Sequence, residues 1–265
     1  MYRMNFMLIV PILLSLIAAM LINYMADVLP HTFHLGRPAC HKDNCPAVFS
    51  WKDYFLLRKC PSCGKRSRVR TILVYLVMIL MAVYLWALPP GGMGFYLGLL
   101  AFAYLVLVAV IDLETHWILL PLNIAGVLIA GGAGLLMHGW QETLIGAAAG
   151  LGIVYIFYLF GKLFTKLRAR KMKVDPKEID EAFAFGDVLL AGILGLFLGW
   201  PLIWFGLLAG TLLSGIVSLI VIVVLFIQKK YRQQALMVFI PLGPAFIAGA
   251  ILLVYFPNWI GSLFS

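Results

Sequence analysis

Two aspartates border long apolar runs, where ionisable side chains are rare. Asp112 follows the run LVLVAVI, and Asp187 precedes the run VLLAGILGLFLGW. Neither has a Lys or Arg within four residues that could pair with it on its own helix. A carboxylate in such a position is costly in a lipid bilayer and usually faces a bundle interior or a water-filled cavity. These two residues are therefore the first candidates for a functional site.

Two aspartates that face each other have a specific chemistry. They would share a proton, because like charges a few ångströms apart cannot both ionise cheaply. One carboxylate then acts as a base on water while the other donates a proton to a carbonyl, as in an aspartic protease. Gly186, directly before Asp187, would let an extended peptide approach closely. Two alternatives remain open: an ion or proton site in a transporter, or helix caps in a non-catalytic scaffold.

The composition predicts a polytopic membrane protein with an all-α fold. The chain is 63% hydrophobic and only 12% charged, with a mean hydropathy of +1.02. A soluble protein of 265 residues would need more polar surface. Apolar runs of roughly 17 to 22 residues predict eight transmembrane helices. The predicted spans cover residues 5–26, 71–88, 94–111, 117–137, 143–161, 184–200, 203–227 and 236–256.

Two of these spans need a further interpretation. The first is interpreted as a retained span rather than a signal peptide, because no small-residue cleavage site follows it. The sixth and seventh spans are nearly continuous, and Trp200-Pro201 predicts the break between them.

The basic residues predict the orientation of these spans. All of the 20 Lys and Arg except Arg3 lie within residues 37–70, 162–177 and 229–232. Eight spans place these three segments on one side of the membrane, which the positive-inside rule makes cytoplasmic. Asp112 and Asp187 are then expected at similar depth near that side. The basic segments lack the interleaved aromatics of a nucleic-acid site, so no nucleic acid is expected as a partner.

All four cysteines lie in one polar segment that this topology places in the cytoplasm. Cys40 and Cys45 form a loosely spaced pair, and Cys60 and Cys63 form a Cys-x2-Cys pair with a glycine after it. In a reducing compartment this clustering predicts a four-thiolate zinc site of structural type rather than disulfides. The predicted organisation is a first transmembrane helix (1–30), a cytoplasmic zinc-binding loop (31–70) and a transmembrane peptidase bundle (71–265).

The order of these landmarks resembles that of the type IV prepilin peptidases, membrane aspartic proteases of the glycine-aspartate motif class. SWKDYFLLRKCPSC resembles the cytoplasmic loop of that family, and IDLETHWILLP and AFGDVLLAGILGLFLGW resemble its two aspartate segments. IPLGPAFIAGA is similar to its Pro-x-Gly-Pro motif. The chain departs at Ala184, where the family has the first glycine of Gly-x-Gly-Asp, and at Leu122, where a polar residue usually follows the proline.

The resemblance implies an activity and its site. Asp112 and Asp187 would be the catalytic pair, with no metal needed for proteolysis. The substrates would be type IV prepilins or pseudopilins, cut at the cytoplasmic face of the bacterial inner membrane, usually between a glycine and a phenylalanine. In many family members the cysteine loop belongs to a second activity, N-methylation with S-adenosylmethionine. KRSRVR is similar to the family's Ser-x-Arg stretch, although the usual proline and glutamate do not follow it.

Overall fold

A computed structural model of the chain forms two compact units, Met1–Leu119 and Leu120–Ser265. It describes residues 2–32, 34–39, 45, 47–55, 58–60, 62–64, 68–116, 119–172, 185–227 and 242–257. Within those ranges the secondary structure is helical, apart from an isolated bridge between Ala39 and Val48. Five of the described helices are long and apolar enough to cross a membrane, and two shorter helices are equally apolar. The predicted all-α polytopic fold is confirmed.

In the part of the first unit that the structure describes, there are three long helices and one short helix. These are α1 (Tyr2–Thr32), α2 (Trp51–Phe55), α3 (Arg68–Ala87) and α4 (Gly94–Thr115). α1 packs against both α3 and α4 through fully buried side chains such as Ala19, Met78 and Val108. α1 continues to Thr32, more than a turn beyond the end of the predicted span. The polar side chains of Asp27 and Thr32 in this extension form an ion pair and a hydrogen bond within the unit.

The described residues of the second unit form four helices. These are α5 (Leu120–Met172), α6 (Phe185–Leu198), α7 (Leu202–Ile227) and α8 (Leu242–Tyr255). α6 packs mainly against α5, and α7 packs mainly against α8. Large apolar side chains of α7, such as Leu212 and Leu219, stay more than half exposed, as a lipid-facing surface requires.

α5 contains two of the predicted spans. Its 53 residues would form a rod of roughly 80 Å if straight, more than twice the hydrocarbon thickness of a bilayer. Gly139 interrupts the helix with φ 80° and ψ 174°. A Cβ added to Gly134 would lie 3.0 Å from the side chain of Thr143, so the chain reverses at this break. The two arms, residues 120–138 and 140–172, correspond to the fourth and fifth predicted spans.

The break between α6 and α7 lies where the sequence predicts it. Gly199 has a left-handed φ of 68°, and its N–H donates to the carbonyl of Gly195 at 2.9 Å. Pro201 follows two residues later and cannot continue the hydrogen-bonding pattern. The glycine and the proline together end α6 and start α7.

Glycines bring the backbones of α5 and α6 into direct contact. A Cβ on Gly146 would lie 2.5 Å from the carbonyl oxygen of Gly195, and one on Gly195 would overlap the carbonyl of Gly146. A Cβ on Gly150 would overlap the carbonyl of Ala191. Because backbone cannot yield as a flexible side chain can, these glycines set the distance between the helices.

We predict that Gly146→Ala destabilises the second unit by about 1–3 kcal/mol, the usual cost of overpacking a close contact. Gly152→Ala is the matched control, because it lies on the same arm of α5 with open space around its added Cβ. That control should be neutral or stabilising by up to about 1 kcal/mol through helix propensity. Thermal unfolding in detergent measures the stability of both variants relative to the wild type. Equal stability of the two would refute the close-contact interpretation.

Candidate active site and cysteine cluster

Asp112 lies inside the last turns of α4 and is only 5% exposed. Its carbonyl oxygen accepts a hydrogen bond from the backbone N–H of His116 at 2.9 Å. His116 has a left-handed φ of 56° and closes the helix. The side chain of Thr115 adds a hydrogen bond to the carbonyl of Ile111 at 2.8 Å. Asp112 therefore belongs to a well-formed helix end rather than to a loop.

A cavity of about 230 Å³ opens beside the end of α4, within the first unit. Pro30 and His31 of α1 line one side, and Thr115 and Leu119 line the other. The cavity has room for several water molecules. Because Thr115 lies three residues beyond Asp112, the cavity is next to the turn that closes α4.

Asp187 is the third residue of α6 and is 6% exposed. A carboxylate in the first turn of a helix is favoured by the helix dipole, which partly explains its presence there. The neighbouring Val188 and Leu190 are buried as well. Because it is buried, Asp187 differs from the carboxylates that commonly lie at the start of helices, which are exposed to solvent. The backbone contacts between α5 and α6 hold this buried turn in place.

Three of the four predicted metal ligands come together in the first unit. The Sγ atoms of Cys45, Cys60 and Cys63 all lie within 4.8 Å of one another, and those of Cys45 and Cys60 are 3.8 Å apart. Tetrahedral thiolates around zinc, with bonds of about 2.3 Å, stand about 3.8 Å apart. The group can therefore hold a metal ion. Cys40 lies outside the described residues, so its place as fourth ligand stays a prediction.

Aromatic packing holds the cysteine cluster against α1. Phe49, Tyr54 and Cys60 are buried together, with Tyr24 of α1 packed against them. The rings of Phe49 and Tyr54 meet edge to face at 5.9 Å. The N–H of Phe49 donates to the carbonyl of Pro38 at 2.8 Å, which closes the loop before α2. The loop thus has a small core of its own that a bound metal would complete.

The structure adds a group of charged residues that the sequence reasoning missed. Arg70, near the start of α3, donates to Asp27 of α1 and to Glu114 of α4, each at 2.7 Å. The hydroxyl of Tyr54 donates to the other carboxylate oxygen of Asp27. A sequence signal did exist, because opposite charges stand at the ends of the first two predicted spans. Its meaning depends on which helices pack together.

Leu122 and Asn123, where the chain departs from the pattern it resembles, lie in the first turn of α5. Both side chains are buried, at 3% and 7% exposure. A shift by one position rotates a side chain about 100° around a helix. Asn123 therefore points in a different direction from Leu122, so it does not replace the polar side chain that is expected at position 122.

The chain matches the type IV leader peptidase family over residues 99–222. This range includes both Asp112 and Asp187 and ends within α7. The cysteine loop lies before it. No solved structure matches the chain.

Curated relatives extend the match over most of the chain, and each is named prepilin leader peptidase/N-methyltransferase. The chain is 28% identical to the relative from Myxococcus xanthus over 224 residues, which is 79% of this chain and 61% of the relative. It is 29% identical to that of Aeromonas hydrophila over 84% of this chain and 70% of the relative. It is 30% identical to that of Aeromonas salmonicida over 83% and 69%, respectively. These matches give no support to a transporter.

We predict that the purified protein binds about one metal ion per chain and that Cys60→Ser removes it, because the buried thiolate is lost. Elemental analysis of the detergent-solubilised protein measures the metal. Cys40→Ser should also weaken retention if Cys40 is the fourth ligand. Ser62→Ala, between the paired cysteines, is the control and should keep the metal. Equal metal content in Cys60→Ser and the wild type would contradict the assignment.

Proposed function

Because the chain belongs to the type IV leader peptidase family, we propose that it is a membrane-embedded aspartic endopeptidase. Its substrates would be type IV prepilins or pseudopilins, from which it removes the basic leader. One observation carries the proposal: the family match spans the two aspartates, and both are buried near helix ends. Solvated caps, as a scaffold would have, give no reason for that burial.

The proposed mechanism uses Asp112 and Asp187 as a pair. With one proton between them, the ionised carboxylate takes a proton from water as the water attacks the scissile carbonyl. The protonated partner donates its proton to the carbonyl oxygen, so the tetrahedral intermediate forms without a buried oxyanion. Collapse of that intermediate needs a proton on the leaving nitrogen, which the newly protonated carboxyl can supply, while the partner carboxylate takes a proton back from a hydroxyl of the intermediate. No metal takes part in these steps.

The proposed location follows from charge. The positive-inside rule, applied to the basic segments, supports a location of the aspartate ends of the helices at the cytoplasmic face of the bacterial inner membrane. A prepilin leader is itself basic and would be kept on that face by the same rule. Cleavage there would separate the basic leader from the apolar segment that stays in the bilayer. Prepilin and membrane lipid are thus the proposed partners.

The cysteine loop has a separate proposed role. Cys40, Cys45, Cys60 and Cys63 would hold zinc as a closed four-thiolate site, which leaves no position for substrate or water. Such a metal supports folding of the loop rather than the hydrolytic step. The relatives are also named N-methyltransferases, so we include methylation of the new N-terminus with S-adenosylmethionine in the proposal.

We predict that Asp112→Asn and Asp187→Asn each abolish leader removal, because an amide can neither take a proton from water nor share one with its partner. Glu142→Gln is the matched control. It makes the same carboxyl-to-amide change at an exposed residue and should cleave normally. Co-expression with a prepilin from the same genome and a gel-shift assay measures the processed fraction. Processing by both aspartate variants would refute the assignment.

Methylation has its own measurement. The mature pilin made with wild-type protein is expected to be one methyl group heavier at its N-terminus than the cleaved polypeptide alone. Intact-mass spectrometry of pilin incubated with S-adenosylmethionine decides this. An Asp187→Asn enzyme supplied with already cleaved pilin should still methylate, because the aspartate serves only hydrolysis. Unmodified pilin with the wild type would remove methylation from the proposal and leave the peptidase in place.

A further inference from the structure

We propose that Arg70 is a positioning residue for the peptidase reaction. It ties the last turn of α4 to α1 and thereby holds Asp112 in place. The inference rests on the proposed function, because it assumes that Asp112 takes part in hydrolysis. The residues that carry it all belong to the first unit.

The geometry of Arg70 is that of a clamp between two helices. Its Nη1 lies 2.7 Å from Oε2 of Glu114 on α4, and its Nη2 lies 2.7 Å from Oδ1 of Asp27 on α1. The Arg70 side chain is 14% exposed, and the side chains of Asp27 and Glu114 are 27% and 37% exposed. The ion pair of Arg58 and Asp53 is different, because its side chains are 67% and 41% exposed and span only five positions of one segment. Exposed pairs of that kind contribute little to stability.

The chemistry of the clamp favours arginine. The planar guanidinium presents separate N–H groups in fixed directions, so one side chain can bind two carboxylates on different helices. The single positive charge of Arg70 thus attracts both Asp27 and Glu114. A lysine would keep the charge but would offer a single ammonium group without that fixed fork.

The α1 end of the clamp is firmly anchored. The second carboxylate oxygen of Asp27 accepts the hydroxyl of Tyr54, which is buried beside Cys60. Asp27 is thus fixed by the core of the cysteine loop as well as by its own helix. Arg70 transmits this fixed position to Glu114.

The α4 end of the clamp lies where it can act on Asp112. Glu114 is two residues beyond Asp112, between that aspartate and the end of the helix at His116. The final turn is closed by the hydrogen bond from His116 N–H to the carbonyl of Asp112 itself. Terminal turns open readily unless they are tied down. Opening of this turn would release the backbone of Asp112, so a tie at Glu114 acts directly on the catalytic residue.

The central variant is Glu114→Gln, which removes one arm of the clamp and leaves the pair of Arg70 and Asp27 intact. We expect kcat for cleavage of a purified prepilin to fall about 10- to 100-fold with KM within about twofold, because misplacement affects the reaction more than binding. Arg70→Met should lower kcat at least as much, and Arg70→Lys should lower kcat less than Arg70→Met does. Glu142→Gln, the same change at an exposed site on α5, should leave both constants unchanged.

A double variant tests whether Arg70 acts through Glu114. The combination of Arg70→Met and Glu114→Gln should cost little more than Arg70→Met alone, because the same contact is lost. Multiplied effects would show that the two residues act independently and would overturn the proposal. A rise in KM at unchanged kcat would also overturn it, because Glu114 would then serve as a contact for the basic leader.

Hydrogen exchange gives a readout that does not require activity. In Arg70→Met and in Glu114→Gln, the amide of His116 should exchange about tenfold faster or more than in the wild type, while amides in the middle of α4 should stay unchanged. Unchanged exchange at His116 would overturn the proposal. If the wild type fails to cleave prepilin, the proposed function fails, and the exchange data still decide whether the clamp exists.

Discussion

Burying a carboxylate at membrane depth is the constraint on which this structure depends. Asp27 and Glu114, whose side chains are 27% and 37% exposed, remain partly solvated and share the single positive charge of Arg70. Asp112 and Asp187 are buried more deeply, with no basic residue near them in sequence. In the proposed pair, a shared proton avoids two adjacent buried charges, and it is also the state from which acid–base catalysis begins. In the proposal, the shared proton both lowers the cost of burying the two carboxylates and prepares them for acid–base catalysis.

The two aspartates are positioned by different physical means. Asp187 begins a short helix whose buried face contacts α5 backbone to backbone, because glycines such as Gly146 and Gly195 leave no side chain between them. Packing of this kind is rigid and independent of charge. Asp112 lies near the end of α4, where packing alone does not hold the terminal turn in place. In our proposal, the ion pairs of Arg70 with Glu114 and Asp27 supply this restraint, so the position of Asp112 depends on charge.

Much of this fold could be predicted from sequence because the signals are local. Runs of about 20 apolar residues indicate spans wherever they occur, and Trp200-Pro201 marks its own break. The spacing of the two cysteine pairs predicts a metal site. Helix ends were less predictable: α1 and α5 continue into polar sequence, which hydropathy excludes from a span. The Arg70 clamp has no local signal, because its meaning arises only when α1, α3 and α4 pack together.

The clamp also bears on how the cysteine loop relates to the peptidase. The family match begins after the loop, so sequence alone treats the loop and the aspartates as separate features. In the first unit, the loop and the last turns of α4, which carry Asp112, are connected through Tyr54, Asp27, Arg70 and Glu114, each linked to the next by a hydrogen bond or ion pair. A metal that stabilised the loop would hold Tyr54, and hence Asp27, more firmly. Under the proposed function, a metal bound by the loop would in this way support catalysis without contacting the peptide that is cut.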